Sequence, residues 1–359
     1  MKQTKKQRNW KKILLITLST IVVLIVAAGI GLSLFIGQQV AHGLLYMNEG
    51  NDTKANSIKQ LEAWGYDLNA FQNTYTGEDF TLEASDGVLV PVTYYPAVTE
   101  SSQRGAELPE QTERSELTKQ TSNSELPEQT DRADGAENPT VILVHGAGGD
   151  RISVAPLAEL YLEQGYHVLT YDQRGNGDNS DDKVSFGYFE ARDTECLVDY
   201  AAEVLGADKI IVHGQSMGGA TAAFYATTEH AREHVASVIL DAPVDSMEHM
   251  FRGVWAEMEG SEDIPTDYVV ACGDLYLRLF YRFSFDDANT IARMKDNQVK
   301  TLVILCEKDK TCLPEYMEQL YNNIDTDNKA LMRVDSEHIE GAIDDPEGYI
   351  HGVLDFIQN

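Results

Sequence analysis

The stretch that decides the fold is Lys209-Ile210-Ile211-Val212-His213-Gly214-Gln215-Ser216-Met217-Gly218-Gly219-Ala220. It is typical of a buried strand, then the pattern Gly-x-Ser-x-Gly, then small residues that open a helix, which is the setting of a nucleophile elbow. Such a sharp turn brings backbones close together, demands glycine at 214 and 218, and lifts the Ser216 hydroxyl above the sheet. The helix that follows favours negative charge at its start. The pattern predicts Ser216 as a nucleophile, with a simple tight turn as the alternative.

Short β-rich runs alternate with helical stretches after Pro139, which predicts βαβ units and a mostly parallel sheet. A strand pair precedes them, at 80–84 and 88–95. Aromatic residues at helical spacings over 245–298 predict a helical cap, where they either form its core or line a substrate site. The β-rich runs are 141–144, 167–171, 209–212, 235–240, 301–305 and 330–334.

A second strand ends in a glycine-rich loop, Val141-Ile142-Leu143-Val144-His145-Gly146-Ala147-Gly148-Gly149. Backbone N–H groups in such a loop can point at an oxyanion, so we expect the amides of Ala147 and Met217 to form an oxyanion hole. A phosphate-binding loop would carry a Lys-Ser/Thr pair, which this loop lacks. His145 is expected to brace the loop rather than to act as a base.

An activated serine needs a histidine base and a carboxylate that orients it, and in this strand order both come late, the acid first. Asp309 follows the run 301–305, and His338 follows the run 330–334. Each lies just past the carboxyl end of a strand, where an open α/β sheet places its site. The sequence therefore predicts a set of Ser216, Asp309 and His338.

Other acidic residues follow strands as well. Asp241 and Asp245 are alternatives to Asp309 as the orienting acid. Asp172 comes before Ser216 in the chain, and we expect it to hold its loop through Arg174.

The cysteines Cys196, Cys272, Cys306 and Cys312 lack any Cys-x-x-Cys spacing and indicate neither a zinc site nor a disulfide framework. They are expected to be small buried side chains. Cys306 and Cys312 flank Asp309, so outside the cell a disulfide between them could stiffen that loop.

The N-terminus predicts where the protein is located. Residues 13–37 contain no charge, and a helix of that length is roughly 37 Å long, enough to span a bilayer. Six of the 28 bases lie within residues 1–12, whereas all 58 acids lie beyond residue 48. The positive-inside rule therefore predicts a cytoplasmic tail at 1–12, a single-pass anchor in the cell membrane at 13–37, and an extracytoplasmic remainder. A signal peptide cleaved after Ala28 and the core helix of a soluble protein are the alternatives.

Composition bounds the rest of the chain. With 359 residues and 43% hydrophobic residues it can bury a large core, and its net charge of −30 argues against nucleic acid as a partner. Residues 38–74 are predicted as a helical stalk, and 75–359 as one domain. Within that domain, 99–139 is predicted as a disordered acidic insertion, because it is poor in large apolar residues and repeats Glu-Leu-Pro-Glu-Gln-Thr at 107–112 and 125–130. A linker between two domains is the alternative.

Five motifs together resemble the α/β-hydrolase superfamily over roughly 75–357. They are His145-Gly146-Ala147-Gly148-Gly149, Tyr171-Asp172-Gln173-Arg174-Gly175-Asn176-Gly177, Gly214-Gln215-Ser216-Met217-Gly218-Gly219, the Asp309 loop that ends in Pro314, and His338. The chain is most similar to bacterial membrane-anchored serine hydrolases of the Bem46-like and serine-aminopeptidase-like branches. Cys306 departs from the glycine usual before the acid, and Asn176 from the usual histidine.

The resemblance implies an α/β-hydrolase fold and a carboxylesterase-like serine hydrolase. It implies that the enzyme works without a metal or an organic cofactor, on a small-molecule, lipid or peptide acyl substrate. A serine peptidase, an acyltransferase and a non-catalytic binding protein on the same fold are the alternatives, because substrate choice lies in the cap rather than in the three residues. The oligomeric state is left open.

Overall fold

A computed structural model of the chain describes residues 2–97 and 138–359. The insertion predicted at 99–139 thus lies outside the described residues, except for its last two positions. Within the described part, eight strands form one sheet in the order β1-β2-β4-β3-β5-β6-β7-β8. The strands are β1 (Glu78–Glu83), β2 (Leu89–Tyr95), β3 (Pro139–Val144), β4 (His167–Tyr171), β5 (Lys209–Gln215), β6 (Ser237–Asp241), β7 (Thr301–Cys306) and β8 (Lys329–Val334).

The sheet is antiparallel only at one side. The pairs β1/β2 and β2/β4 are antiparallel, and the others are parallel, which confirms the predicted mostly parallel sheet. The strands that flank the undescribed segment, β2 and β3, both pair with β4 and so belong to the same sheet.

Helices connect and cover the strands. They are α1 (Lys2–Leu45), α2 (Thr53–Ala63), α3 (Leu68–Thr74), α4 (Ala155–Glu163), α5 (Ala191–Glu203), α6 (Met217–Ala226), α7 (Glu229–His234), α8 (Met247–Glu257), α9 (Thr266–Tyr276), α10 (Thr290–Arg293), α11 (Pro314–Asn323), α12 (Gly341–Asp344) and α13 (Pro346–Gln358). On one face of the sheet, α4 and α13 pack on alternate strand residues such as Val141, Ile211 and Ile304. The intervening residues, Ile142 and Val212 among them, are buried on the opposite face, as expected for parallel strands covered on both sides.

The register of the central strands aligns the places where functional loops begin. Val144 at the end of β3 lies opposite Gly214 of β5, and Gln215 of β5 lies opposite Asp241 of β6. The glycine-rich loop after β3 and the turn after β5 therefore leave the sheet side by side at its carboxyl edge.

The described chain divides into two compact units. One consists of residues 2–44 and 251–285, and the other of residues 45–250 and 286–359. The predicted cap, 245–298, is therefore shared between them. Its ends belong to the second unit, where Ser246 forms a β-bridge with Asn289 and Thr290 donates its N–H to the carbonyl of Asp245.

In the first unit, α1 contains a stretch, Lys12–Leu45, that is long and apolar enough to cross a membrane, and an 18-residue window within it has a mean hydropathy of 2.8. The C-terminal part of this stretch, from Ser33 onward, packs on α9. The hydroxyls of Ser33 and Tyr268 are 2.9 Å apart, and a Cβ on Gly37 would lie 2.2 Å from the carbonyl oxygen of Cys272. The small residues Ser33 and Gly37, one helical turn apart, allow this approach of two helix backbones.

In the second unit, α2 and α3 pack on the core that the sheet and its helices form. Asp52 and Asp67 cap these helices through their side chains, and Ser57, Leu61 and Phe71 are buried. The segment predicted as a helical stalk, 38–74, thus contains the end of α1 followed by two short helices with buried residues.

Candidate active site

Ser216 lies between β5 and α6 in a backbone conformation that non-glycine residues rarely adopt, with φ 56° and ψ −118°. Conformations of this kind cost roughly 1–3 kcal/mol and persist only where their surroundings fix them. Here the Ser216 N–H donates to the carbonyl of Asp241 at 2.9 Å, and its own carbonyl accepts the N–H of Val244 at 3.1 Å. The next strand and its loop therefore hold the strained turn.

Close backbone contacts explain the glycines around Ser216. A Cβ on Gly214 would lie 2.0 Å from the carbonyl oxygen of Gly218, and a Cβ on Gly218 would lie 2.1 Å from the carbonyl oxygen of Val144. No side chain fits at either position without moving backbone.

The structure brings the three predicted residues together. Ser216 Oγ lies 2.9 Å from His338 Nε2, and His338 Nδ1 lies 2.6 Å from Asp309 Oδ2. His338 belongs to the loop after β8 and Asp309 to the loop after β7. With Nδ1 protonated, the imidazole donates a hydrogen bond to Asp309 through Nδ1 and accepts one from the Ser216 hydroxyl through Nε2.

Asp309 is held by its own loop. Its other oxygen, Oδ1, accepts the backbone N–H groups of Thr311 and Cys312, both at 2.8 Å. The carboxylate is 4% exposed, so these two bonds and the imidazole replace water as its partners. Such an Asx-type turn fixes the direction of Oδ2.

The alternative acids have other partners. Asp241 is buried and accepts hydrogen bonds from Gln215 Nε2 at 2.9 Å and Tyr349 Oη at 2.8 Å. Burial raises the pKa of Asp241, and these two hydrogen bonds lower it. Asp245 Oδ1 lies 3.1 Å from His249 Nδ1. Of the three candidates, Asp309 is the acid that the imidazole of His338 contacts.

The glycine-rich loop lies against the nucleophile. A Cβ on Gly146 would lie 3.3 Å from Ser216 Cβ, and Ala147 lines the same cavity as Ser216 and His338. Met217 is the first residue of α6, a position whose N–H has no acceptor within the helix. Ala147 and Met217 thus both lie close to Ser216, and an oxyanion hole formed by their amides stays a prediction.

His145 occupies the bracing position that the sequence predicted. It is fully buried, its Nδ1 donates to the Gly146 carbonyl at 2.7 Å, and its Nε2 accepts the N–H of Gln173 at 3.0 Å. This pattern requires a neutral ring, and burial lowers the pKa of His145 accordingly.

One loop prediction is wrong. Asp172 does not hold its loop through Arg174. Its carboxylate pairs with the side chain of Arg151 and accepts the N–H of Arg151 at 2.9 Å, whereas Arg174 pairs with Asp86 and Asp193. Arg174 Nη2 lies 2.7 Å from Oδ1 of the buried Asp193 in α5, and Arg174 Nη1 lies 2.9 Å from Asp86 Oδ2.

The cysteines flanking Asp309 are free thiols in the structure, and both are buried. Burial raises the pKa of Cys306 to about 12. Burial also raises the pKa of Cys312. Over residues 2–97 and 138–359, no group of three or more His, Cys, Asp or Glu residues is arranged to hold a metal ion.

A cavity of about 100 Å³ adjoins the nucleophile. Two of its lining residues, Gln60 and Trp64, come from α2 and its C-terminal end, which sequence reasoning had left without a chemical role. Only the long-range fold brings them to the site. The remaining lining residues are Gly146, Ala147, Gly149, Ser153, Gln215, Ser216, His338 and Ile339.

Comparison with known proteins agrees with this architecture. A family model described as alpha/beta hydrolase fold matches residues 139–355. The uncharacterized protein YqkD of Bacillus subtilis is 23% identical over 222 residues, which are 61% of this chain and 71% of that protein. A proline iminopeptidase of Saccharolobus solfataricus is 39% identical over 95 residues, 26% of this chain and 30% of that protein.

A solved structure shares the fold at low sequence identity. The esterase Pf2001 of Pyrococcus furiosus superimposes with a TM-score of 0.56 at 17% identity, covering 82% of this chain and 95% of the esterase. None of these likenesses separates the Bem46-like from the serine-aminopeptidase-like branch, so the branch stays a prediction.

Proposed function

The chain belongs to the alpha/beta hydrolase fold family, and from this premise we propose that it is a membrane-anchored serine hydrolase that cleaves acyl esters or amides. In this proposal α1 is a single-pass anchor in the cell membrane, residues 1–12 are cytoplasmic, and the hydrolase unit is outside. The apolar stretch Lys12–Leu45 and the bases that precede it support this orientation.

In the proposed reaction, Ser216 Oγ attacks the acyl carbonyl while its proton passes to His338 Nε2. The amides of Met217 and Ala147 stabilise the oxyanion, and Asp309 stabilises the imidazolium through Nδ1. The tetrahedral intermediate collapses as His338 returns the proton to the leaving alcohol or amine, which leaves an acyl-enzyme on Ser216. Water then attacks the acyl-enzyme by the same steps and releases the acid.

The observation that carries the proposal is the line of hydrogen bonds from Ser216 Oγ through His338 to Asp309, at 2.9 and 2.6 Å. These distances lie within the reach that general-base catalysis requires. The strained conformation of Ser216 adds support, because strain of this kind gathers at functional sites.

An amide is the second candidate substrate. The 39% identity to a proline iminopeptidase over 95 residues favours a substrate with an N-terminal amino-acid residue, which the same three residues can cleave. Aminoacyl p-nitroanilides therefore belong in the assay beside p-nitrophenyl esters.

The test uses the full-length chain in detergent. We expect it to release p-nitrophenol from short acyl esters and to be labelled by a fluorophosphonate probe, and we expect Ser216→Ala to lose both. Labelling of Ser216→Ala at the wild-type level would place the nucleophile elsewhere. A folded wild-type chain without labelling or turnover would favour a binding protein, and transfer of the acyl group to an added alcohol would favour an acyltransferase.

A further inference from the structure

We infer that α2 and its C-terminal end form one wall of the acyl-binding pocket, and that Trp64 limits the pocket to short acyl groups. The inference rests on the proposed serine hydrolase function and names its substrate class. It concerns a segment that precedes the sheet and lies next to the membrane anchor in sequence.

The cavity beside the nucleophile has the residues that an acyl pocket needs. It is lined by Ser216, by His338 and by the glycine-rich loop that contains Ala147. When Ser216 attacks a carbonyl group that the Ala147 amide holds, the acyl chain of the substrate would therefore extend into this space. Trp64 and Gln60 line the cavity as well.

The size of the cavity sets the length of the group that fits. An engineered protein cavity of about 150 Å³ holds one benzene ring. The cavity here is about 100 Å³, and it therefore accommodates an acyl group of roughly two to four carbon atoms on that scale. A longer chain needs the wall to move.

Hydrogen bonds fix Trp64 in place. Its indole Nε1 donates to Glu340 Oε1 at 3.0 Å, and Glu340 lies two residues after His338. Its backbone N–H donates to the carbonyl of Gln60 at 3.0 Å, and the neighbouring Leu61 is 1% exposed. Because hydrogen bonds hold both its backbone and its ring, Trp64 forms a fixed wall of the cavity.

Further contacts fix α2 on the glycine-rich loop. Ser57 Oγ accepts the N–H of Asp150 at 2.9 Å, and Asn56 Nδ2 donates to the Gly148 carbonyl at 3.4 Å. The position of the wall is therefore coupled to the loop that carries the Ala147 amide.

The residues just before α2 hold the same loop. Asn48 Nδ2 donates to Asn176 Oδ1 at 2.9 Å, and the same oxygen accepts the N–H of Gly148 at 3.1 Å. Asn176, which departs from the family pattern, thus links the segment after α1 to the glycine-rich loop.

The experiment measures kcat/KM for p-nitrophenyl acetate, butyrate and octanoate with the full-length chain in detergent. The leaving group is constant, so the ratio between esters reports the acyl side. We expect the wild type to prefer acetate and butyrate over octanoate by about tenfold or more, because an octanoyl chain exceeds the roughly two to four carbon atoms that the cavity accommodates. A wild type that cleaves octanoate as well as butyrate overturns the inference without any variant.

Variants then test whether Trp64 limits the length of the acyl group. Trp64→Ala is expected to raise the octanoate-to-acetate ratio about tenfold, and Trp64→Phe to raise it less. Ile58→Ala is the matched control, because Ile58 lies on the same helix and is 38% exposed; its ratio should equal that of the wild type. An unchanged ratio in an active Trp64→Ala or Trp64→Phe overturns the inference, whereas a wild type that cleaves no ester and takes no probe overturns the proposed function instead.

Discussion

Cys312 and Asp309 are joined by a hydrogen bond from the Cys312 backbone N–H to Asp309 Oδ1, at 2.8 Å. The neighbouring Thr311 N–H donates to the same oxygen, also at 2.8 Å. The other oxygen, Oδ2, lies 2.6 Å from His338 Nδ1. The loop that contains Asp309 thus holds one carboxylate oxygen and leaves the other directed at the imidazole.

Replacement of Asp309 by asparagine keeps the shape of the side chain but removes the charge that stabilises the imidazolium. We expect Asp309→Asn to lower kcat for p-nitrophenyl butyrate by roughly 10³- to 10⁴-fold, as measured from initial rates. Asp245→Asn is the control, because Asp245 pairs with His249, and its rate should stay within a few-fold of the wild type. Loss of activity in the control alone would make Asp245 the orienting acid.

The thiols beside Asp309 should be reduced and slow to react. Both Cys306 and Cys312 are buried, and burial raises their pKa values, so little thiolate is available for alkylation. Iodoacetamide is expected to modify neither in the native chain and all four cysteines in the unfolded chain without reductant, as counted by intact mass. Two unmodified cysteines after unfolding would indicate a disulfide.

A methyl group at Gly218 should disrupt the turn. Because the added Cβ would lie 2.1 Å from the Val144 carbonyl oxygen, we expect Gly218→Ala to destabilise the fold by about 1–3 kcal/mol or more and to abolish labelling of Ser216. Gly253→Ala is the control, since nothing lies within 4 Å of its Cβ position and alanine favours helix. Thermal unfolding followed by circular dichroism compares the two, and equal melting temperatures would contradict the prediction.

The buried His213 should make stability depend on pH. Burial lowers the pKa of His213 to about 3, so the folded chain keeps the ring neutral while the unfolded chain protonates it below about pH 6.5. Unfolding binds protons in the window between these values, and the stabilisation is therefore lost as the pH falls. Relative to His213→Gln, the wild type should lose about 1 kcal/mol of unfolding free energy between pH 7.5 and 5.5.

Urea unfolding of both chains at the two pH values measures this difference. A difference that is constant with pH would mean that His213 binds protons equally in the folded and unfolded chains. The hydrogen bond between His213 Nδ1 and Tyr161 Oη, at 2.9 Å, requires the neutral ring if the phenol donates.

Packing between α1 and α9 should depend on Gly37. A Cβ there would lie 2.2 Å from the Cys272 carbonyl oxygen, whereas nothing lies within 4 Å of a Cβ on Gly43 in the same helix. We expect Gly37→Val to expose residues 251–285 to limited proteolysis in detergent and Gly43→Val to leave them protected. Equal protection of both variants would contradict a backbone-to-backbone contact.

The sheet and the positions of Ser216, Asp309 and His338 could be predicted because their sequence signals are local. Strands such as β5 and β7 are continuous apolar runs, and Ser216, Asp309 and His338 each follow a strand, so topology alone brings them to one edge. Cys306, where the family has glycine, does not prevent this arrangement. It ends β7 with its side chain buried, and Asp309 follows in a turn of its own.

The surroundings of the site could not be predicted, because they depend on contacts between residues far apart in the chain. Trp64 meets Glu340 across 276 positions, and no periodicity within α2 points to such a partner. The pairing of Asp172 with Arg151, and of Arg174 with Asp86 and Asp193, likewise joins residues that no local pattern of the sequence relates.

The place where α9 rests on α1 bears on how the protein could be shed from a bilayer. The contacts lie at Ser33, Gly37 and Val40, all beyond the small residues that end at Ala28. In the proposed topology, cleavage after Ala28 would remove most of the predicted membrane-spanning segment 13–37 and leave this helix contact in place. A released form would thus keep the remainder of α1 packed on α9.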